Sequence, residues 1–154
     1  MALFHVHAYA PFDVHVGDPC ISTIERLRLG TKANLEVLNH TPNLTELSIM
    51  HVPPDCSPSL PALQKLSLYV ANWPKSIVTP PYIDFVLPFA SSLLQLSLYF
   101  PLVSHPRSKV PSLIAHLPQL QILTLTETFP EPLDLRELTN LHSLNLRSSK
   151  PRKL

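Results

Sequence analysis

PQLQILTL, residues 118–125, places Leu120, Leu123 and Leu125 in the spacing leucine-x-x-leucine-x-leucine. In an extended strand Leu123 and Leu125 share one face, because successive side chains alternate, and Thr124 takes the other. The stretch therefore reads as a short half-buried strand. The same spacing returns in PNLTELSI (42–49), PALQKLSL (61–68) and TNLHSLNL (139–146). It returns again in Ile24-Leu27-Leu29 and Leu93-Leu96-Leu98, which makes six copies separated by 20, 19, 30, 27 and 21 residues. The residue between the last two apolar positions is polar throughout: Arg28, Ser48, Ser67, Ser97, Thr124 and Asn145. Such alternation at a recurring spacing specifies repeated strands better than any single apolar run does.

The lengths between copies favour parallel pairing, since each chain must cross back before the next strand begins. The returns then supply the other half of the core. In SKVPSLIAHLP (108–118), Val110, Leu113, Ile114 and Leu117 fall at i, i+3, i+4 and i+7 and stop at Pro118, which predicts a helix of about two turns. In TPPYIDFVLPFASS (79–92), Thr79 is placed to cap a helix that tolerates Pro80 in its first turn. Ile83, Val86 and Leu87 are read as its buried side, and Pro88 as its end or kink. Leu35 and Leu38 share a face before Pro42, HVPPDCSPSLP (51–61) looks irregular, and DLRELTN (134–140) is read as a single turn through Leu135 and Leu138.

With 154 residues and 45% hydrophobic content, the chain can bury one continuous core. It carries 18 prolines and only 2 glycines, so its turns are expected to be extended or set by proline. Cys20 and Cys56 lack the paired spacing of a zinc site or a disulfide framework, and a reduced intracellular setting, cytoplasmic or nuclear, is the simpler expectation. A net charge of +1 gives no overall field for a phosphate backbone or an anionic membrane. No apolar run reaches the length of a membrane span, and neither a nucleic acid nor a membrane is an expected partner. No nucleotide-binding glycine loop, nucleophile elbow or H-E-x-x-H helix occurs, so neither a catalytic residue nor a cofactor is assigned.

Between Ile24 and Leu146 these copies resemble the leucine-rich-repeat family. The resemblance implies an α/β fold: a leucine-rich-repeat solenoid with a curved parallel sheet, and short helices or irregular returns on its convex side. It also implies protein binding rather than catalysis. The copies depart from the stricter family pattern three places after the last strand leucine, where Lys32, Val52, Ala71, Pro101, Thr128 and Ser149 replace the expected Asn or Cys. A continuous asparagine ladder at that place is thus expected to be missing, and the backbone groups must be satisfied otherwise. Variable spacing and abundant proline look most like the degenerate repeats of fungal F-box proteins. There, repeats hold a substrate while a separate helical F-box docks a ubiquitin-ligase adaptor. No F-box is legible in this sequence, so that adaptor is a partner only if an F-box is supplied elsewhere.

The chain divides into a lead-in or irregular cap (1–23), a repeat region of about six rungs (24–149) and a basic tail (150–154). Both ends look unfinished for a solenoid, which needs polar caps over its terminal leucines. A second reading is therefore a solenoid fragment that requires further repeats or self-association. The first reading is a protein-interaction module whose partner the residues do not name.

Its candidate contact face follows from strand alternation. Before the middle leucines stand Arg26, Glu46, Lys65, Gln95, Ile122 and Ser143; after the last stand Gly30, Met50, Tyr69, Tyr99, Thr126 and Arg147. From these columns and the central one, Arg26, Arg28, Lys65, Ser67, Tyr69, Gln95, Ser97, Tyr99, Thr124, Asn145 and Arg147 are the candidate binding residues. Tyr69 and Tyr99, at equivalent places in adjacent copies, are the candidate anchor. Trp73 and the loop after Phe100 accompany the longest repeats and form a candidate rim. Ser97 and Thr124 are expected to accept Arg more readily than Leu96 and Leu123 do. His5, His7, Asp13 and His15 raise a remote third reading, a metal-dependent enzyme, but a zinc site needs three or four converging ligands, which sequence spacing alone does not establish, and no metal site is assigned.

Overall fold

Each copy of the spacing forms a strand, and the strands pair in sequence order. The structure, a computed structural model, describes residues 5–8, 21–30, 35–52, 56–69, 81–100, 110–126 and 134–147. The strands are β1 (His5–Ala8), β2 (Arg26–Leu29), β3 (Glu46–Ile49), β4 (Lys65–Tyr69), β5 (Gln95–Tyr99), β6 (Ile122–Thr126) and β7 (Ser143–Arg147). They make one parallel sheet in the order β1-β2-β3-β4-β5-β6-β7. The first strand comes from the lead-in, where Val6 pairs in register with Leu27 and Ala8 with Leu29. The sheet thus begins one strand earlier than the six leucine copies indicate.

Register aligns the leucines into two columns. Leu47, Leu66, Leu96 and Leu123 form one, and Ile49, Leu68, Leu98 and Leu125 the other. All eight are buried in a single core that also takes in the returns. Removing a leucine side chain from water in this way contributes roughly 1.5–3 kcal/mol.

Short helices supply the returning half. The helix α1 (Pro81–Val86) runs into a 3-10 turn at Leu87–Phe89, and α2 (Val110–Ile114) lies in the next return. Val110, Leu113, Ile114 and Leu117 are all buried, as their spacing predicts. The expected face of α1 is shifted. Tyr82, Phe85, Val86 and Phe89 are buried, whereas Ile83 is only partly covered and Leu87 is 36% exposed. With Val86, the aromatic residues complete an i, i+3, i+4, i+7 stripe and bury more area per residue, so this stripe turns inward. Tyr82 meets Phe100, and Phe85 meets Phe89, in edge-to-face contacts with centroids 6.1 and 5.7 Å apart. Thr79 and Pro80 lie outside the described residues.

Before most strands the chain makes the same tight turn. Leu44 N–H donates to Thr41 O, Leu63 N–H to Leu60 O, Leu120 N–H to Leu117 O and Leu141 N–H to Leu138 O. Pro42, Pro61 and Pro118 occupy the first central position of three of these turns, where a fixed φ near −65° is already suitable. That placement explains how the chain turns so often with so little glycine. A 3-10 segment, Leu35–His40, precedes the turn at Pro42 and buries Val37 and Leu38.

A second device recurs at each strand start from β3 to β7. Two successive amides donate to one carbonyl of the preceding unit: Thr45 and Glu46 to Glu25 O, Gln64 and Lys65 to Thr45 O, and Leu94 and Gln95 to Gln64 O. Gln121 and Ile122 do the same to Leu94 O, and His142 and Ser143 to Gln121 O. This fork pins the register before the regular ladder begins.

Candidate functional site

The sheet's second face is built from the residues that alternate with the core leucines. Its central column runs Arg28, Ser48, Ser67, Ser97, Thr124 and Asn145 in register. On one side lie Arg26, Glu46, Lys65, Gln95, Ile122 and Ser143; on the other, Tyr69, Tyr99, Thr126 and Arg147. The parallel sheet therefore brings all eleven candidate residues onto one face. His5 and His7 occupy register positions beside Arg26 and Arg28.

Access along that face is uneven. Arg26, Lys65, Asn145 and Arg147 are exposed, while Arg28, Ser67, Tyr69, Gln95 and Tyr99 are half-buried. Ser97 and Thr124 are only 4% and 8% exposed. At β5 and β6 the central column is therefore more closed than alternation alone implies, so Arg at Ser97 or Thr124 should cost more than at half-open Ser67, though still less than at Leu96 or Leu123 in the core.

Tyr69 and Tyr99 meet as the columns require. Their rings stack at a centroid distance of 4.6 Å with planes 15° apart. In-register placement on adjacent parallel strands puts the two rings side by side, and their contact adds to the area each buries. Charge also pairs across strands, with Arg26 Nε 3.5 Å from Glu46 Oε2. That pair is half exposed and contributes little to stability.

Several polar groups resolve the missing asparagine ladder. Asn43 Nδ2 donates to Ser22 O at 2.7 Å, and Asn140 Nδ2 to Pro118 O at 2.9 Å. Both asparagines stand just before the first leucine of a copy, and each reaches the turn of the preceding unit. At the other strand end, Phe100 N–H donates to Thr126 Oγ1, whose hydroxyl donates to Leu98 O, so one threonine extends the β5–β6 ladder. The signal for the asparagines was their shared position in PNLTELSI and TNLHSLNL.

Elsewhere the chemistry is sparse. Tyr82 is buried and its hydroxyl has no hydrogen-bond partner among the described residues; burial pushes its phenol well above the usual tyrosine range. Cys56 is a half-buried free thiol whose pKa burial also raises. Asp134 is held at about 2 by hydrogen bonds from the Arg136 side chain and backbone, on the exposed surface. Among the described residues no group of three or more His, Cys, Asp and Glu is placed to hold a metal, and Asp13 and His15 lie outside them. Trp73 and the loop at 101–109 also lie outside the described residues. Among the described residues no helix is long and apolar enough to cross a membrane. No protein-family model, curated protein or solved structure matches the chain.

Proposed function

We propose that this chain is a leucine-rich-repeat solenoid that acts as a non-enzymatic protein-interaction module through the polar, concave face of its sheet. The observation that carries the reading is the stacked Tyr69–Tyr99 pair, half-buried on that face, with Lys65 and Gln95 at the opposite ends of the same two strands. Large amphipathic rings held rigid by a neighbour lose little freedom when a partner covers them, which is why tyrosine serves well as a contact anchor. Within this class, the likeness to fungal F-box repeats supports a substrate-holding role, with a ligase adaptor engaged through an F-box supplied elsewhere.

Crosslinking capture in cells, compared among wild type, Tyr69→Ala/Tyr99→Ala and a control Glu36→Ala, tests the face. A partner held by wild type and the control but lost by the tyrosine variant is the expected result. Recovery of every specific partner by the tyrosine variant, folded to the same thermal midpoint, rejects this surface.

A second reading is favoured by one observation. Leu144 and Leu146 continue the buried columns yet are 39% and 57% exposed. A solenoid segment that gains a further repeat or a second copy against β7 accounts for them. Light scattering across a concentration series checks self-association: growth in mass that Leu144→Glu/Leu146→Glu abolishes supports it, and a constant monomer mass removes the second-copy form of the reading.

A further inference from the structure

Among the described residues, charge is divided unevenly between the polar strand face and the turns and returns. Among the described residues, Arg26, Arg28, Lys65 and Arg147 belong to the polar strand face, and Arg136 is the one lysine or arginine that lies elsewhere. Carboxylates show the reverse distribution: Glu46 is on the strands, whereas Glu25, Glu36, Asp84, Asp134 and Glu137 are in the turns and returns. Glu46 stands in register between Arg26 and Lys65 and pairs with Arg26. Arg147 has no acidic in-register neighbour on β6, where Thr126 stands opposite.

The tyrosine stack points toward the same ligand. Each ring turns one face to the other, and Thr126 stands in register beside Tyr99 on β6. Ring edges and hydroxyls are what such a stack offers a partner. The edge of an aromatic ring is electropositive and a phenol donates a hydrogen bond, so both suit an acceptor, whereas a cation needs an open ring face.

From these two observations, and resting on the protein-interaction reading, we infer that the polar sheet face takes an acidic, extended peptide segment whose carboxylates meet Lys65, Arg147 and the Tyr69–Tyr99 hydroxyls. Lys65 and Arg147 stand three strand intervals apart, about 14 Å, and four residues apart along the strands, about 13 Å, so the diagonal is about 20 Å and an extended peptide covers it in roughly six residues. From β2 to β7 the span is about 24 Å, or roughly seven residues.

The probe is a fluorescein-labelled twelve-residue peptide of alternating Glu and Thr, compared with its Lys-Thr and Gln-Thr counterparts by anisotropy against the full chain. Only the Glu peptide is expected to bind, with affinity falling as salt rises. Lys65→Glu/Arg147→Glu should weaken it by about tenfold or more, the change that one lost charge contact of about 1.4 kcal/mol produces. Tyr69→Phe/Tyr99→Phe, which keeps the stack and removes the hydroxyls, should weaken it several-fold. Failure of the Glu peptide to bind, equal binding of the Gln or Lys peptide, or indifference to charge reversal overturns the inference. Equal competition by single-stranded DNA also overturns it, since the face then reads charge density rather than a peptide. If captured protein partners still require Tyr69 and Tyr99 but ignore Lys65→Glu/Arg147→Glu, the interaction reading stands and the acidic assignment falls.

Discussion

Strands β6 and β7 carry nearly the same pattern, Ile122-Leu123-Thr124-Leu125-Thr126 against Ser143-Leu144-Asn145-Leu146-Arg147, and pair in register, yet their leucines have opposite environments. Leu123 and Leu125 are fully buried; Leu144 and Leu146 are 39% and 57% exposed. The difference lies in neighbours. β6 has a strand on each side and the α2 return beside it, where Val110, Leu113, Ile114 and Leu117 complete the core. β7 has β6 on one side only among the described residues, and its preceding return contributes Leu138 and the partly buried Leu135 and Leu141. Identical spacing therefore sets which face a side chain takes, while burial depends on what stacks against the strand.

The largest effect should separate these two strands directly. Leu123→Arg forces a charge into a fully packed site and should cost at least about 4 kcal/mol, which unfolds many domains of this size. Leu146→Arg should cost less than about 1 kcal/mol, because the new charge reaches water. Chemical denaturation of both variants measures the gap, and equal losses would show that β7 is as closed as β6.

The polar columns give a smaller contrast of the same kind. Thr124→Arg should destabilise by about 1–3 kcal/mol because its site at β6 is closed, whereas Ser67→Arg on half-open β4 should stay within about 0.5 kcal/mol. Thermal midpoints resolve the two. Similar shifts would mean that the polar face is equally open along its length.

Tyr82→Phe should leave stability unchanged or raise it by about 1 kcal/mol, since it removes a buried hydroxyl that finds no hydrogen-bond partner among the described residues while keeping the ring against Phe100. A clear loss would reveal a partner for that hydroxyl. The smallest effect belongs to the surface pair. Asp134 is depressed to about 2 from an ordinary value near 4, so its contribution is complete above pH 4 and is lost as the pH falls toward 2. Asp134→Asn should flatten only that part of the stability profile; a change confined to neutral pH would contradict the assignment.

Much of this arrangement is legible in the leucine spacing. Period-two alternation around Thr124 and Ser97 fixes which residues share the polar face, and the length of each return fixes parallel order. The stack of Tyr69 on Tyr99 follows from their equivalent places in adjacent copies. What alternation leaves undetermined is depth: Ser97 and Thr124 belong to the polar face but are closed over by packing among several strands, which no single copy encodes. The α1 stripe is shifted for a related reason: Val86 is buried as its spacing predicts, but Ile83 and Leu87 satisfy helical spacing almost as well as Tyr82, Phe85 and Phe89, and side-chain area decides between them. β1 escaped the leucine pattern because Val6 and Ala8 take the places of leucines.

Backbone hydrogen exchange, resolved strand by strand, tests most directly whether the copies form one ordered parallel sheet closed in the middle and open at β7. The account predicts the slowest exchange for β4, β5 and β6 amides, which are paired and packed over a complete core, with β7 exchanging faster. Uniformly fast exchange across Lys65–Tyr69, Gln95–Tyr99 and Ile122–Thr126, or protection greatest at Ser143–Arg147, would contradict it.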